Sequence, residues 1–193
     1  MRRTKAEMEE TISILMLTAR KIFTTQGYAN SSMEDLTAGA GLTRGALYHH
    51  FKDKKSLLSA VVNQIDTEMD ARLQEVSDNA KDTWEGFRDR CRLYLEMAQE
   101  PEIQRIILRD ARAVLGNPSV KAQKKCIRSM QILLEGLMKQ EVIMHSDSEA
   151  LAIYIYGALS EASFWIAESE EKNNDRLQTA LKTLDLLLRG IKL

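Results

Sequence analysis

Apolar residues return at three- and four-residue steps through most of this 193-residue chain, the rhythm of helices that bury one face. Ile12, Leu15, Ala19, Ile22 and Phe23 make the first such stripe, over residues 8–26, and Gly27 follows it as a left-handed cap. Ser31 and Ser32 precede Met33-Glu34-Asp35-Leu36, where a hydroxyl can cap free amides and two acids suit the positive end of a helix dipole. That short second helix stops at Gly41, and Thr43 caps a third over Arg44–His50. From Lys54 to about Asn79, Leu57, Leu58, Val61, Val62, Ile65, Met69 and Leu73 keep one stripe along a long fourth helix. Further helices are predicted over about 82–99, 102–115, 119–140, 147–169 and 174–190, broken at Pro101, Asn117-Pro118, Ser146 and Asn173-Asn174. No segment sustains a period of two with hairpin dipeptides, so the predicted fold is all-α with about nine helices.

Charge adds a direction to this pattern. The chain holds 27 Lys and Arg against 28 Asp and Glu, but residues 1–60 hold nine against six and the remainder 18 against 22. A basic front and an acidic back suit a molecule that brings one end to phosphates. Cys91 and Cys126 have no paired spacing, which excludes a disulfide framework or zinc finger and fits a reducing compartment with both thiols packed and inert. The opening MRRTKAEMEETISIL does not read as a secretory signal, and no stretch is taken as a membrane span, so a cytoplasmic protein with no membrane partner is expected.

The chemistry concentrates in GLTRGALYHHFKDKKSLL, residues 41–58. A short helix, a glycine turn and a second short helix on an amphipathic first helix describe a helix-turn-helix, whose second short element enters the DNA major groove. Its leading end must be small and polar. Arg44 can fork onto a guanine edge, Ala46 can touch a thymine methyl, and Gly45 lets backbone come close. Leu47 and Phe51 face inward, leaving Tyr48, His49 and His50 around the outer surface. Lys54 and Lys55 open the fourth helix, where free amides and ammonium groups attract a phosphate.

The words ARKIF, GY, SSMEDLTAGAGLTRGALYHHF and KDKKSLLSAVV, over residues 12–62, resemble the N-terminal domain of the TetR/AcrR family of transcriptional regulators. The resemblance implies a homodimeric, ligand-responsive repressor of a palindromic operator, with no enzyme activity and no cofactor beyond a small-molecule effector. It implies a DNA-binding domain over 1–53 and a C-terminal helical bundle for ligand and dimerisation over 54–193, the helix starting at 54 linking the two. Base-reading sites fall on Thr43, Arg44, Gly45 and His49, and phosphate sites on Ser32, Tyr48, His50 and Lys54. Thr37 departs from the family's usual alanine and is expected to be tolerated.

Other readings compete. Adjacent His49 and His50 point about 100° apart on a helix and cannot chelate one metal together, so no metal site is expected. A small hydrolase using either histidine, or a helical protein-interaction module, are the alternatives, and no nucleophile elbow, metal box or phosphate loop supports an enzyme. His145 sits in a loop whose Ser146 or Asp147 caps the next helix. Trp84, Phe87, Tyr94, Met97, Met130 and Phe164 are candidates to line an apolar ligand cavity, with core packing as the plainer account. Arg109, Asp110 and Arg112 read as a solvated, salt-bridged face. Leu151, Ile155, Ala158, Ala162 and Trp165, with Leu181, Leu184 and Leu188 of the last helix, read as a two-fold four-helix dimer interface.

Overall fold

The computed structural model of the chain describes residues 5–116, 120–168 and 175–193. Among them run α1 (Lys5–Gln26), α2 (Met33–Ala40), α3 (Arg44–His50), α4 (Lys54–Asp78) and α5 (Thr83–Met97). A π-helix (Ile103–Ala111) continues directly as α6 (Arg112–Leu115), and α7 (Val120–Lys139), α8 (Ser148–Ala167) and α9 (Asp175–Arg189) follow. The all-α reading holds, and the one extended pairing described is an isolated antiparallel bridge between Ile143 and Lys192. The breaks expected at Asn117-Pro118 and Asn173-Asn174 lie outside the described residues.

Local chemistry sets the short elements as the sequence suggests. Ser32 closes a capping box: its hydroxyl accepts from the Asp35 amide at 3.0 Å, and the Asp35 carboxylate accepts from the Ser32 amide at 2.7 Å. Gly41 ends α2 at φ 63°, and Thr43 starts α3 by accepting from the Ala46 amide at 3.2 Å. Asp53 does the same for α4 through the Ser56 amide at 2.7 Å, and Asp147 for α8 through the Ala150 amide at 2.7 Å. Thr37, buried inside α2, satisfies its hydroxyl by donating to the Met33 and Glu34 carbonyls at 3.0 and 2.9 Å.

Contacts divide the chain into two compact units. The first joins residues up to Glu68 with Pro101–Asn117, and the second joins Met69–Glu100 with Pro118–Leu193. The expected boundary after residue 53 therefore falls inside the first unit, which also takes in a segment from far along the chain. Its core is Leu15, Ala19, Phe23, Leu36, Leu47, Leu57, Leu58, Val61 and Ile65, completed by Ile103 and Ile106 of the π-helix. The Arg20 guanidinium fastens the inserted segment. It donates to Glu68 of α4 at 2.7 Å and to Glu102 at 2.6 Å, which holds its pKa above the ordinary arginine value.

Two expectations change here. Residues 103–111 are π-helical where an ordinary α-helix was expected, because apolar spacing marks a buried face without fixing whether hydrogen bonds run to i+4 or i+5. Asp110 is buried, at 8% exposure, and is not part of a solvated face. Its carboxylate accepts from the Tyr28 amide at 2.7 Å and lies 3.6 Å from Arg105. Arg105 in turn donates to the Gln26 carbonyl at 3.1 Å and lies across Gly27, where φ is 83° and a side chain would overlap the guanidinium.

The second unit packs α5, α7, α8 and α9 around Phe87, Cys91, Leu95, Met97, Leu134, Leu137, Ile143, Leu159, Leu181, Leu184 and Leu188. Cys91 is buried, and burial pushes its thiol up to about 12, so it stays protonated and unreactive. Helix α8 departs from the expectation of no span-length apolar stretch. It is 20 residues long, has a window of mean hydropathy 1.3, and only 22% of that window is buried.

Candidate nucleic-acid interface

Helix α3 stands on its own buried face. Leu47 has no solvent exposure and Phe51 only 9%, so the rod is seated on the core of the first unit. Opposite them, Thr43, Arg44, Gly45, Tyr48 and His49 are exposed, while Ala46 and His50 are half-buried. The small leading end and the long polar side chains thus share the outward side, as reading a groove requires.

Each expected contact residue has a definite setting. Arg44, with 67% of its side chain exposed, is 3.4 Å from Glu34 and 5.6 Å from the Tyr48 ring centre. Both contacts are loose and exposed, so the guanidinium can leave them for a base edge at small cost. Ser32 is exposed, and its hydroxyl also donates to the Asp35 carboxylate at 2.6 Å. The Ser32 hydroxyl, followed by its own amide, holds the Asp35 carboxyl below the usual carboxylate range. His49 and His50 meet edge to face at 5.0 Å between ring centres. Among the described residues no three metal-ligating side chains converge.

Lys54 differs from its expected setting. Its ammonium donates to the carbonyls of Tyr28 and Ser31 at 2.7 and 2.6 Å and lies 4.1 Å from the Tyr28 ring centre. It therefore anchors the α1–α2 loop, while Lys55 next to it is exposed. Burial lowers the Lys54 pKa and raises that of the Tyr28 phenol. The α1–α2 loop is gripped from two sides, by Lys54 on its carbonyls and by Asp110 on its Tyr28 amide. No signal along the sequence brings residue 110 to residue 28.

A buried seat, a capped turn and an exposed polar rod define a helix-turn-helix DNA-binding protein. Residues 15–61 match the family described as bacterial regulatory proteins, tetR family, and residues 84–191 match the tetracyclin repressor-like C-terminal domain. A TetR-family transcriptional regulator from Pectobacterium atrosepticum, solved as a crystal structure, is 62% identical, with 99% of this chain and 98% of that one covered and a TM-score of 0.92. The chain belongs to the TetR family of transcriptional regulators, a class of proteins that are not enzymes. Among curated relatives, the transcriptional repressor BepR of Brucella suis is 39% identical over 64 residues, 33% of this chain and 31% of that protein. The regulator AcrR of Shigella flexneri is 42% identical over 60 residues, 31% of this chain and 28% of that protein. The match thus spans about a third of those relatives, the part that holds the helix-turn-helix.

The residues expected to meet ligand or partner sort by exposure. Phe87, Met97 and Met130 are buried in the second unit's core, Tyr94 and Phe164 are half-buried, and Trp84 lines a recess of about 500 Å³. Of the expected dimer residues, Leu181, Leu184 and Leu188 are buried within their own chain at 6% exposure or less. The helix that carries them packs against α5 and α8. Leu151, Ile155 and Ala162 are half-buried, Ala158 is exposed, and Trp165 is 42% exposed. Leu187 of α9, also read from the sequence as part of that apolar surface, is 57% exposed, and the exposed apolar positions the sequence reading left out include Ile153 and Tyr154 on α8, at 49% and 77%, and Leu186 on α9, at 68%.

Proposed function

We propose that the protein is a cytoplasmic, homodimeric, ligand-responsive repressor that binds a palindromic DNA operator. The observation that carries the proposal is α3, seated by Leu47 and presenting Thr43, Arg44, Gly45, Tyr48 and His49 outward from one side. The repressor role draws on the likeness to BepR across the helix-turn-helix. Dimerisation draws on Ile153, Tyr154, Trp165, Leu186 and Leu187, large apolar side chains left exposed on two consecutive long helices. A two-fold axis through that surface gives two reading heads, and hence a DNA site made of two inverted half-sites.

Thr43, Arg44, Gly45, Ala46 and His49 take the base-reading roles, and Ser32, Tyr48 and His50 take phosphates. Lys54 serves that contact indirectly by fixing the loop before Ser32, and exposed Lys55 adds charge. Effector occupancy lowers DNA affinity; a hundredfold loss needs a coupling of only about 2.7 kcal/mol. The test is selection of bound fragments from random duplex DNA by the full chain. An inverted repeat in the bound pool is the expected result. A pool that stays random, or a single unrepeated half-site, refutes the palindrome reading, and affinity that does not fall with added salt refutes phosphate contact.

A further inference from the structure

The recess in the second unit lies between α5 and α9 and holds about 500 Å³, within the ~300–1,000 Å³ typical of small-molecule sites. Trp84 and Leu188, both largely buried, give it an apolar floor. Its polar lining is Arg88 and Arg92 from α5, and Asp185, Arg189 and Lys192 from α9 and the residues after it. Four cations thus face one carboxylate, in the half of the chain where acids outnumber bases.

Among the described residues, two of these four cations are ion-paired and two are not. Arg92 donates to Asp185 at 2.7 Å, and Arg88 pairs with its neighbour Asp89 at 2.9 Å. Arg189 and Lys192 have no carboxylate within ion-pair distance among the described residues. Arg88 and Arg92 stand one turn apart on α5, a spacing at which like charges destabilise a helix. The placement is nonetheless firm. Lys192 sits in the backbone bridge to Ile143, flanked by the Met144-to-Ile191 hydrogen bond at 2.8 Å and the Leu193-to-Val142 hydrogen bond at 3.1 Å. Its ammonium is 5.3 Å from the Trp84 ring centre.

We propose that this recess binds a small organic anion carrying two or more phosphate or carboxylate charges joined to an apolar ring. The guanidinium forks match such oxyanions in pairs, the ammonium adds a point charge, and the Trp84–Leu188 floor takes the apolar part. The proposal deepens the effector reading by naming a site and a ligand class, and it rests on that reading only for the consequence of binding.

The probe is naphthalene-1,5-disulfonate, a flat dianion, titrated into the full chain without DNA and followed by the indole N–H resonances of its two tryptophans. The Trp84 resonance is expected to shift saturably while that of Trp165 stays put. Inorganic pyrophosphate, charged without a ring, and naphthalene-1,5-diol, a ring without charge, should each bind more weakly. Arg189→Gln with Lys192→Gln removes two cations that support no described ion pair, and should weaken the disulfonate by about tenfold or more. Equal response of both tryptophans, or unchanged affinity in the double variant, overturns the site. Because no DNA is present, failure to select an inverted repeat would sink the operator reading without touching this result. A disulfonate that binds but leaves DNA affinity unaltered keeps the site and removes its role as effector.

Discussion

Replacing Asp110 with alanine tests the grip on the α1–α2 loop directly. The carboxylate is 8% exposed and accepts from the Tyr28 amide at 2.7 Å, so alanine leaves that partly buried N–H without its acceptor. Losing a charged partner and stranding a buried donor costs about 1–3 kcal/mol. The substitution also removes the carboxylate 3.6 Å from Arg105, while sparing the cost of burying it, so a net loss near 2 kcal/mol is expected. Asp110→Asn keeps an acceptor and should lose about half as much. With a urea slope of about 2 kcal/mol per molar, the alanine change moves the unfolding midpoint of this unit down by about 1 M. Circular dichroism in urea measures that shift, and hydrogen exchange at the Tyr28 amide locates it. A Tyr28 amide as protected in Asp110→Ala as in the parent would refute the grip, whatever happened to global stability.

Three other outcomes are open to measurement. Arg44→Ala should cost about 1–3 kcal/mol on the selected operator and relax preference at one base pair, whereas Lys55→Ala should weaken every sequence alike; competition against single-base operator variants separates them. The Asp35 and Asp53 carboxyls are held below the usual range, chiefly by the Ser32 hydroxyl and the Ser56 amide respectively. Their capping is therefore fully present above about pH 4, the unfolded value, and is lost as pH falls through the lower folded values; an acid titration of helicity should show less of this loss in Asp35→Asn. Leu186→Glu places a charge on the exposed apolar face of α9, and sedimentation should find the monomer enriched, with unchanged helicity.

The parts of this molecule legible in its sequence are those fixed by neighbours along the chain. Ser32, Thr43 and Asp147 cap their helices as expected because an N-cap needs only an amide three residues on, and Gly41 ends α2 because it alone takes a positive φ without a side chain to strain. The stripe from Leu57 to Leu73 likewise gave α4, and Leu47 and Phe51 gave the seat of α3. What was missed depends on distant pairings. Lys54 looked like a surface cation until the Tyr28 and Ser31 carbonyls were placed beside it, and Asp110 looked solvated until Tyr28 was. The last helix was apolar enough to serve core and interface at once, so periodicity could not assign Leu184 to one and Leu187 to the other. Arg88 and Arg189 lie about a hundred positions apart, and nothing local announces a shared recess.

The wide-turned segment Ile103–Ala111 sets a limit on what alteration this region tolerates. Each of its turns takes up more chain than an α turn, because the backbone bonds reach one residue further. Deleting a single residue before Asp110 offers the backbone a route to ordinary winding and changes where that carboxylate falls relative to the Tyr28 amide. Asp110 would then miss Tyr28 although no side chain had been changed. Length, as much as composition, is under constraint in this stretch.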